Sequence, residues 1–394
     1  MQLGGRPPVL TGLDDTLFHQ TATTFDHAFT SDHRFYDRYW FQALEPGGGV
    51  EVMAGMGLYK NTNTLDGFFI VVRDGHQYDR RFSRPLRPRS DLQAVGPFRV
   101  EVVEGLRTLR ITVEPGDRPT AADLLWTGTH DVVEEPPMWR RLDGRVQTQL
   151  QRFYQLGRVD GWVDVGGDRI AVDGWFGQRD HSWGVRPGTG GYEPVTGPPR
   201  VPHAEFLRCF LFVNTRDVAG VVDITEGGGG YHRSDGLMLW PTEVGRRPVT
   251  VRRADIDLAF RPGHSPAETS TVRFDRADLD VTAADGSRYR IECAVTVPPW
   301  VLKGSGYDMG YSDGRGLGVY RGDVEEGEVL DITRDDLVTV VPGGSPFEHL
   351  HREHVVNLRV NGEPGHGNLT VWRDFTDDVE GHLYDSDGAG ATEA

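Results

Sequence analysis

Short runs rich in Val, Ile, Phe, Tyr and Thr recur along the whole chain, and turn residues separate them. In Arg99-Val-Glu-Val102 and Arg288-Tyr-Arg-Ile-Glu292 polar and apolar residues alternate, which is typical of strands with one buried face. Asp74-Gly75, Asp143-Gly144 and Asp285-Gly286 indicate hairpin turns. The 394 residues include 51 Gly and 24 Pro, and no long segment keeps apolar residues at helical spacing. The sequence therefore predicts an all-β protein of sandwiches or barrels with few short helices.

Charge excludes several classes of protein. The chain has 42 basic and 59 acidic residues, a formal net charge of −17. Such a chain is a poor partner for nucleic acid or anionic lipid, because both need a basic surface. No apolar run approaches the roughly 20 residues of a membrane span. The first eight residues lack the pattern of a signal sequence, so we expect a cytoplasmic protein.

Cysteine and histidine spacing gives little support for a metal site. Cys209 and Cys293 are too few for a disulfide framework or a four-thiolate zinc site, and we expect two buried thiols. The cluster His349, His351 and His354 with Glu353 does not have the His-Glu-x-x-His spacing of helical zinc sites. It is also consistent with a strand that begins in polar residues, or with a site that lacks metal. We therefore expect no metal.

Two domains, or one large one, are expected at this length. Residues 187–202 are rich in Pro and Gly, which suits a linker or a loop over an active site. We place an N-terminal β domain at 1–195, a C-terminal β domain at 196–384 and a flexible tail at 385–394. The oligomeric state cannot be predicted.

A faint repeat supports two similar domains. Gly177–Arg186 and Gly310–Arg321 both contain Gly-x-x-Asp followed by Gly-Val. In so Gly-rich a chain the likeness could also arise by chance. In a true duplication Asp313 would be the counterpart of Asp180, whereas by itself it is typical of a turn.

The stretch Gly174–Arg186 has the highest density of residues that could carry chemistry. It contains Arg179, Asp180, His181, Ser182 and Trp183. In an extended strand Asp180 and Ser182 would share one face, while Arg179, His181 and Trp183 would share the other. Asp180 and His181 could then act together only if a turn bends the chain; otherwise the Asp and Arg could simply form a structural ion pair. The aromatic and charged run from Asp32 to Phe41 could line a pocket or form a first strand.

Residues Gly177-Gln-Arg-Asp-His-Ser-Trp-Gly-Val-Arg186 resemble the signature of the AttH/CrtC-like, lipocalin-like hydratase superfamily. That group includes carotenoid 1,2-hydratase (hydroxyneurosporene synthase) and is related to tocopherol-cyclase-like proteins. The resemblance covers about ten residues. It implies two lipocalin-like antiparallel β-barrel or sandwich domains packed side by side.

The resemblance also implies a reaction without a cofactor on a hydrophobic isoprenoid-like or polyene substrate. An acid protonates an alkene, and water or an internal nucleophile captures the cation. On this reading Asp180 is the acid and His181 positions the water. Trp175, Trp183 and Tyr192 are candidate faces for the cation, and Arg179 is a substrate-side or ion-pair residue. Two alternatives stay open, a non-catalytic carrier of a hydrophobic small molecule and a pericyclic or isomerising biosynthetic enzyme.

Overall fold

A computed structural model describes ten segments of the chain. They are residues 22–87, 91–142, 144–191, 204–227, 230–265, 272–307, 315–334, 338–340, 346–348 and 352–376. Within these segments the helices are two short 3-10 turns, Lys60–Thr62 and Thr242–Val244. None of the helices in the described segments is long and apolar enough to cross a membrane. The predicted tail, 385–394, lies outside these segments.

One sheet is formed mostly by the first half of the chain, and we call it the curled sheet. Its order is β20-β4-β3-β2-β1-β12-β11-β8-β7-β6-β5, with β9 and β10 also paired to β11. Its strands are β1 (Phe35–Leu44), β2 (Val50–Tyr59), β3 (Thr64–Arg73), β4 (His76–Pro85), β5 (Ala94–Val95), β6 (Phe98–Glu104), β7 (Thr108–Val113), β8 (Thr120–Gly128), β9 (Val133–Glu134), β10 (Met138–Leu142), β11 (Arg145–Val165), β12 (Asp168–Val185) and β20 (Val324–Asp331).

The second half forms a closed eight-stranded unit, which we call the barrel. In the order β18-β17-β16-β15-β14-β13-β24-β23 each strand pairs with the next, and pairing of β18 with β23 closes the ring. The remaining strands are β13 (Ala204–Thr215), β14 (Ala219–Gly227), β15 (Tyr231–Leu239), β16 (Val249–Phe260), β17 (Phe274–Ala283), β18 (Arg288–Val295), β19 (Trp300–Val301), β21 (Val338–Val340), β22 (Pro346–Glu348), β23 (Arg352–Val360) and β24 (Glu363–Thr376).

This architecture confirms the predicted all-β class, with two antiparallel β units and few short helices. One finding was not expected from the sequence. Strand β20 lies within the range assigned to the C-terminal domain, yet it pairs with β4 at the edge of the curled sheet. The chain therefore leaves the barrel, adds a strand to the first unit and returns. The domain boundary near residue 195 stays a prediction.

Alternation along the strands builds five hydrophobic cores in the described segments, and three of them are larger than the others. One set of side chains fills the inside of the curled sheet, and a second set, including Cys209 and Cys293, fills the barrel. The third core lies between the units, where Leu44 and Phe176 of the curled sheet meet Phe212 and Val221 of the barrel. We call the side of the curled sheet that faces the barrel its outer face. Both faces of the central strands are therefore buried.

The described part of the second repeat copy does not resemble the first. Residues 177–184 lie in β12, whereas residues 315–323 form no strand, and only Leu317 makes an isolated bridge, to Thr189. Asp313 lies outside the described residues. The structure thus gives the two motifs different local conformations over the part that can be compared.

The glycines of the motif are explained by close packing. A Cβ on Gly177 would lie 2.8 Å from the indole nitrogen of Trp126 and 3.0 Å from Val159. Gly184 has φ +136°, and a Cβ there would lie 2.1 Å from the carbonyl oxygen of Gln149. Glycine is therefore required at both positions by the neighbouring strands.

We expect Gly177→Ala to lower the free energy of unfolding by about 1–3 kcal/mol, because the new methyl group would displace the buried Trp126 ring. Chemical denaturation measures this change. Gly116→Ala is the matched control, since a Cβ there meets no atom within 4 Å. Equal stability of the Gly177→Ala variant and the unchanged protein would contradict the packing argument.

A buried carboxyl lies where the two units meet. Glu51 is fully buried on the outer face, and Gln42 Nε2 donates a hydrogen bond to its Oε1 at 3.0 Å. Burial raises the pKa of Glu51 well above its usual range, and the nearby Glu353 carboxyl of the barrel adds to this shift. Gln42 opposes it through its hydrogen bond. Glu51 therefore keeps its proton to a higher pH in the folded chain than in the unfolded chain.

Replacing Glu51 by Gln should make stability less dependent on pH. In the unchanged protein the unfolded chain releases this proton first, near the ordinary pKa of about 4.3. The contribution of Glu51 is thus present below that pH and is lost as pH rises towards the raised folded-state pKa. Thermal unfolding across this pH range should show a flatter profile for Glu51→Gln. Glu101→Gln removes an exposed carboxyl and should keep the original profile.

Candidate functional site

Strand β12 carries the motif in a fully extended conformation. Asp180 lies opposite Trp40 of β1 and Tyr154 of β11, and His181 lies opposite Tyr39 and Phe153. Because neighbouring residues of a strand point to opposite faces, Asp180 and His181 are directed to different sides of the sheet. This confirms the extended alternative and excludes an Asp180–His181 pair within one site.

Arg179 lies on the inner face and does not pair with Asp180. Its guanidinium stacks 4.8 Å from the centre of the Trp126 ring and 5.0 Å from that of Phe153. Its Nε and Nη2 donate to Gln155 Oε1 at 3.2 and 2.8 Å. Burial lowers the pKa of Arg179 to about 10. The ion pair between Arg179 and Asp180 that the sequence suggested does not form, because the two side chains lie on opposite faces.

His181 also points to the inner face, at one end of the curled sheet. Its Nε2 lies 2.7 Å from Asp37 Oδ1. The imidazole is surrounded by aromatic rings, with centres 4.5 Å away for Tyr39, 5.4 Å for Phe153 and 5.2 Å for Trp183. His181 thus has its own carboxylate partner and its own aromatic surroundings, separate from Asp180.

Trp175 and Trp183, two of the predicted aromatic residues, do not face Asp180. Trp175 is buried in the core inside the curled sheet, and Trp183 is partly exposed beside His181. Tyr192, His349 and His351 lie outside the described residues. Asp180 is instead flanked by Trp40 and Tyr154, which the pairing of β12 with its neighbours brings beside it. Whether any of these residues has a catalytic role stays a prediction.

Asp180 is a partly buried carboxyl. Within the described segments its oxygens make no hydrogen bond and no ion pair. Burial raises the pKa of Asp180; Arg152 opposes this shift, Glu135 adds to it, and Arg186 and Arg38 oppose it. Such a carboxyl holds its proton more strongly than an exposed aspartate does, which is the property that a general acid needs.

A cavity of about 490 Å³ lies between the two units, close to Asp180. One wall is the outer face of β11, with Arg152 and Tyr154, and the other is the outside of β13 to β15. Its volume lies within the roughly 300–1,000 Å³ range of small-molecule sites. Its apolar lining consists of Val133, Met138, Phe206, Phe210, Val221 and Leu237, and ion-paired side chains stand among them.

Several charges in the wall are paired within the protein. Arg152 Nη2 lies 2.7 Å from Glu135 Oε2, and Arg208 Nε donates to Asp223 Oδ1 at 3.0 Å. These pairs hold polar groups in fixed places on otherwise apolar walls. Asp180 does not itself line the cavity, but Tyr154 does, and Tyr154 is its direct neighbour on the next strand.

Of the residues near Asp180, some lie in a run that the sequence singled out and others carry no signal in the sequence. The run from Asp32 to Phe41, considered as a pocket lining, supplies Tyr36, Arg38 and Trp40 to the outer face. Tyr307 comes from a loop after the barrel strand β19, and no pattern in the sequence connects it to β12. Glu51 could not be found either, since its burial depends on the docking of the barrel.

The described residues contain no group of three potential metal ligands. His354, one member of the predicted cluster, is fully buried and stacks on Phe274 with ring centres 4.0 Å apart. Burial lowers the pKa of His354 to about 3, and the charge of Arg352 adds to this shift.

Comparison with known proteins gives a matching family model and two solved structures of low similarity. None of the curated protein sequences compared with the chain is detectably similar. Two crystal structures of CghA, one of them with Sch210972, match with a TM-score of 0.44 each, at 10% and 9% sequence identity. In each case 88% of this chain and 89% of that chain are covered. A family model matches residues 10–372, and the chain therefore belongs to the Family of unknown function (DUF8625).

Proposed function

We propose that this protein binds a largely apolar small molecule between its two β units and acts on it as a hydratase or cyclase, with Asp180 as the acid. The observation that carries the proposal is the cavity of about 490 Å³ beside a partly buried carboxyl that has no ion pair in the described segments. The isoprenoid or polyene nature of the substrate rests on the resemblance of the β12 motif.

Protonation of an unactivated alkene needs an acid that is still protonated near neutral pH. Burial gives Asp180 a raised pKa, and the Glu135 carboxylate adds to it. Arg179, the residue whose charge would have lowered this pKa most directly, is bound to Gln155 on the other face. The absence of a paired guanidinium in the described structure therefore supports the acid role.

The cation that forms after protonation needs a stabilising environment. Trp40 and Tyr154 lie on the strands either side of Asp180 and are the aromatic residues that would stabilise a positive centre near it. The apolar walls of the cavity restrict access of water, which limits unwanted capture of the cation.

The reaction balances without a further reagent. The Asp180 carboxyl gives its proton to one alkene carbon, and the other carbon becomes cationic. Water adds to the cation, or an internal hydroxyl adds and closes a ring, and the proton that is released returns to the Asp180 carboxylate. His181 takes no part in this scheme, because it points to the opposite face.

One observation favours a second function, a carrier of apolar small molecules. Asp180 lies next to the cavity rather than in its lining. A carrier needs only the cavity, so it predicts binding that does not depend on Asp180 and no conversion of the bound molecule.

A large side chain that fills the cavity should weaken binding of an apolar ligand there. Leu237 lies in the barrel wall of the cavity, and we expect Leu237→Trp to weaken binding of all-trans-retinol at least about tenfold, which is ~1.4 kcal/mol. Retinol fluorescence measures the change. Val244→Trp is the control, since Val244 is 61% exposed and outside the cavity. Unchanged retinol affinity in Leu237→Trp would exclude this cavity as the binding site.

Asp180→Asn keeps the size of the side chain and removes the acid. Incubation with geraniol, farnesol and lycopene, followed by mass spectrometry, should show hydrated or cyclised products for the unchanged protein. We expect turnover by Asp180→Asn to fall roughly 10²–10⁴-fold. In the unchanged protein activity should fall as pH rises through the raised pKa of Asp180, because only the protonated form donates.

Asp173→Asn is a matched control, because Asp173 is an exposed aspartate of the same strand. Full turnover in Asp180→Asn would contradict the acid role. Retinol binding by the unchanged protein without conversion of any of the three substrates would favour the carrier.

A further inference from the structure

Two arginines near Asp180 lack a carboxylate partner. Arg38 is only 4% exposed, and its Nη2 donates to the Ser305 carbonyl oxygen at 2.7 Å. Arg186 Nη2 donates to the Tyr307 hydroxyl oxygen at 2.5 Å. In the described part of the chain neither guanidinium forms an ion pair. Nε and Nη1 of Arg38 and Nε of Arg186 are buried and have no hydrogen-bond partner.

Buried cations without a counter-charge are costly. A guanidinium taken out of water loses hydration that only an anion or a full set of acceptors replaces. The neutral acceptors here satisfy one nitrogen of each arginine. Stacking on aromatic rings supplies part of the rest: Arg38 lies 5.3 Å from the centre of Phe68, and Arg186 lies 4.8 Å from that of Tyr36. The buried donors of Arg38 and Arg186 stay unsatisfied, and a negatively charged group placed against them would satisfy them.

These side chains pack together. The guanidiniums of Arg38 and Arg186 each lie 5.2 Å from the centre of the Tyr307 ring. Burial is the largest influence on the pKa of Asp180, Arg186 and Tyr307, yet each of the three keeps part of its surface exposed. Groups that are enclosed by protein and still reached by solvent line a depression, not an open surface. We call the set Arg38, Arg186, Tyr36, Tyr307 and Asp180 the arginine recess.

The recess is continuous with the wall of the cavity. Ser182 lies opposite Arg152 on one side and opposite Arg38 on the other, so these three residues form one row across the outer face. Arg152 lines the cavity. With strands about 4.8 Å apart, the Cα atoms of Arg152 and Arg38 are about 10 Å apart. A molecule with its apolar part in the cavity can therefore place one end in the recess.

We propose that the arginine recess binds an oxyanion, the carboxylate or phosphate end of the small molecule whose apolar part occupies the cavity. This inference rests on the proposed function for the apolar part of the ligand. It adds that the substrate is an amphipathic acid, held by Arg38 and Arg186.

The chemistry of the recess suits an oxyanion. Two guanidiniums with unpartnered N–H groups can donate to two oxygens of one anion, which is the pattern that arginine favours. The charges of Arg186 and Arg38 both act on the Tyr307 hydroxyl. They lower its pKa, although burial opposes this shift. A bound anion would also oppose ionisation of Asp180 and keep it in the acid form.

The test uses two probes with the same apolar body, all-trans-retinoic acid and all-trans-retinol. The unchanged protein should bind the acid roughly 10- to 100-fold more tightly, the effect of charge-assisted hydrogen bonds. The double variant Arg38→Gln, Arg186→Gln should lose this preference and keep its affinity for retinol. Arg107→Gln, at an exposed arginine, should keep the preference. Equal affinities of the unchanged protein for both probes, or a preference that survives in the double variant, would overturn the proposal.

Two further measurements keep the test decisive. If the double variant does not fold, Arg186→Lys keeps the charge and removes the fork of donors, so the preference should decrease but not disappear; an unchanged preference counts against the site. If the unchanged protein binds neither retinoid, the proposed function fails, and inorganic phosphate tests the recess alone. Phosphate should then raise the Tm of the unchanged protein more than that of Arg186→Lys, and equal shifts would overturn the proposal.

Discussion

Both faces of β12 are buried, and the rest of the structure depends on this constraint. The inner face packs inside the curled sheet, where Trp126 and Arg179 stack, and the outer face meets the barrel and the loop that carries Tyr307. Since side chains alternate along a strand, a motif that looks like one cluster in the sequence becomes two clusters on opposite sides of a sheet. Asp180 and His181 are consecutive in the chain, yet no reaction can use them together at one centre.

The outer face has a mixed chemical character that follows from its position. Towards one end it is apolar and packs on the barrel through Leu44 and Phe176. Towards the other end it holds the partly buried Asp180 and the buried Arg38. A cavity therefore forms between two units whose facing walls come from distant parts of the chain. Sites between domains are common for this reason, because two separately folded surfaces rarely match over their whole area.

Several features could be predicted because they depend on local sequence. The Asp74-Gly75 turn joins β3 and β4 with φ of +51° and +74° at its two residues, as expected for a tight hairpin. Gly177 of the motif is required for a tertiary reason, because Trp126 packs against it. The partners of Asp180 had no local signature. Tyr154 and Tyr307 are 26 and 127 residues away from it in sequence, by subtraction of the residue numbers, and only strand pairing and loop docking bring them near.

The sequence by itself determined the all-β class, because alternation and turn chemistry act over a few neighbouring residues. It left two conformations open for the motif, an extended strand or a turn, and strand pairing selected the extended one. The tertiary structure decided which face meets which partner. Pairing of β12 with β1 and β11 placed Trp40 and Tyr154 beside Asp180, and docking of the barrel buried Glu51. It also decided that Arg179 binds Gln155 rather than Asp180. These outcomes depend on contacts between residues far apart in the chain, which no short pattern encodes.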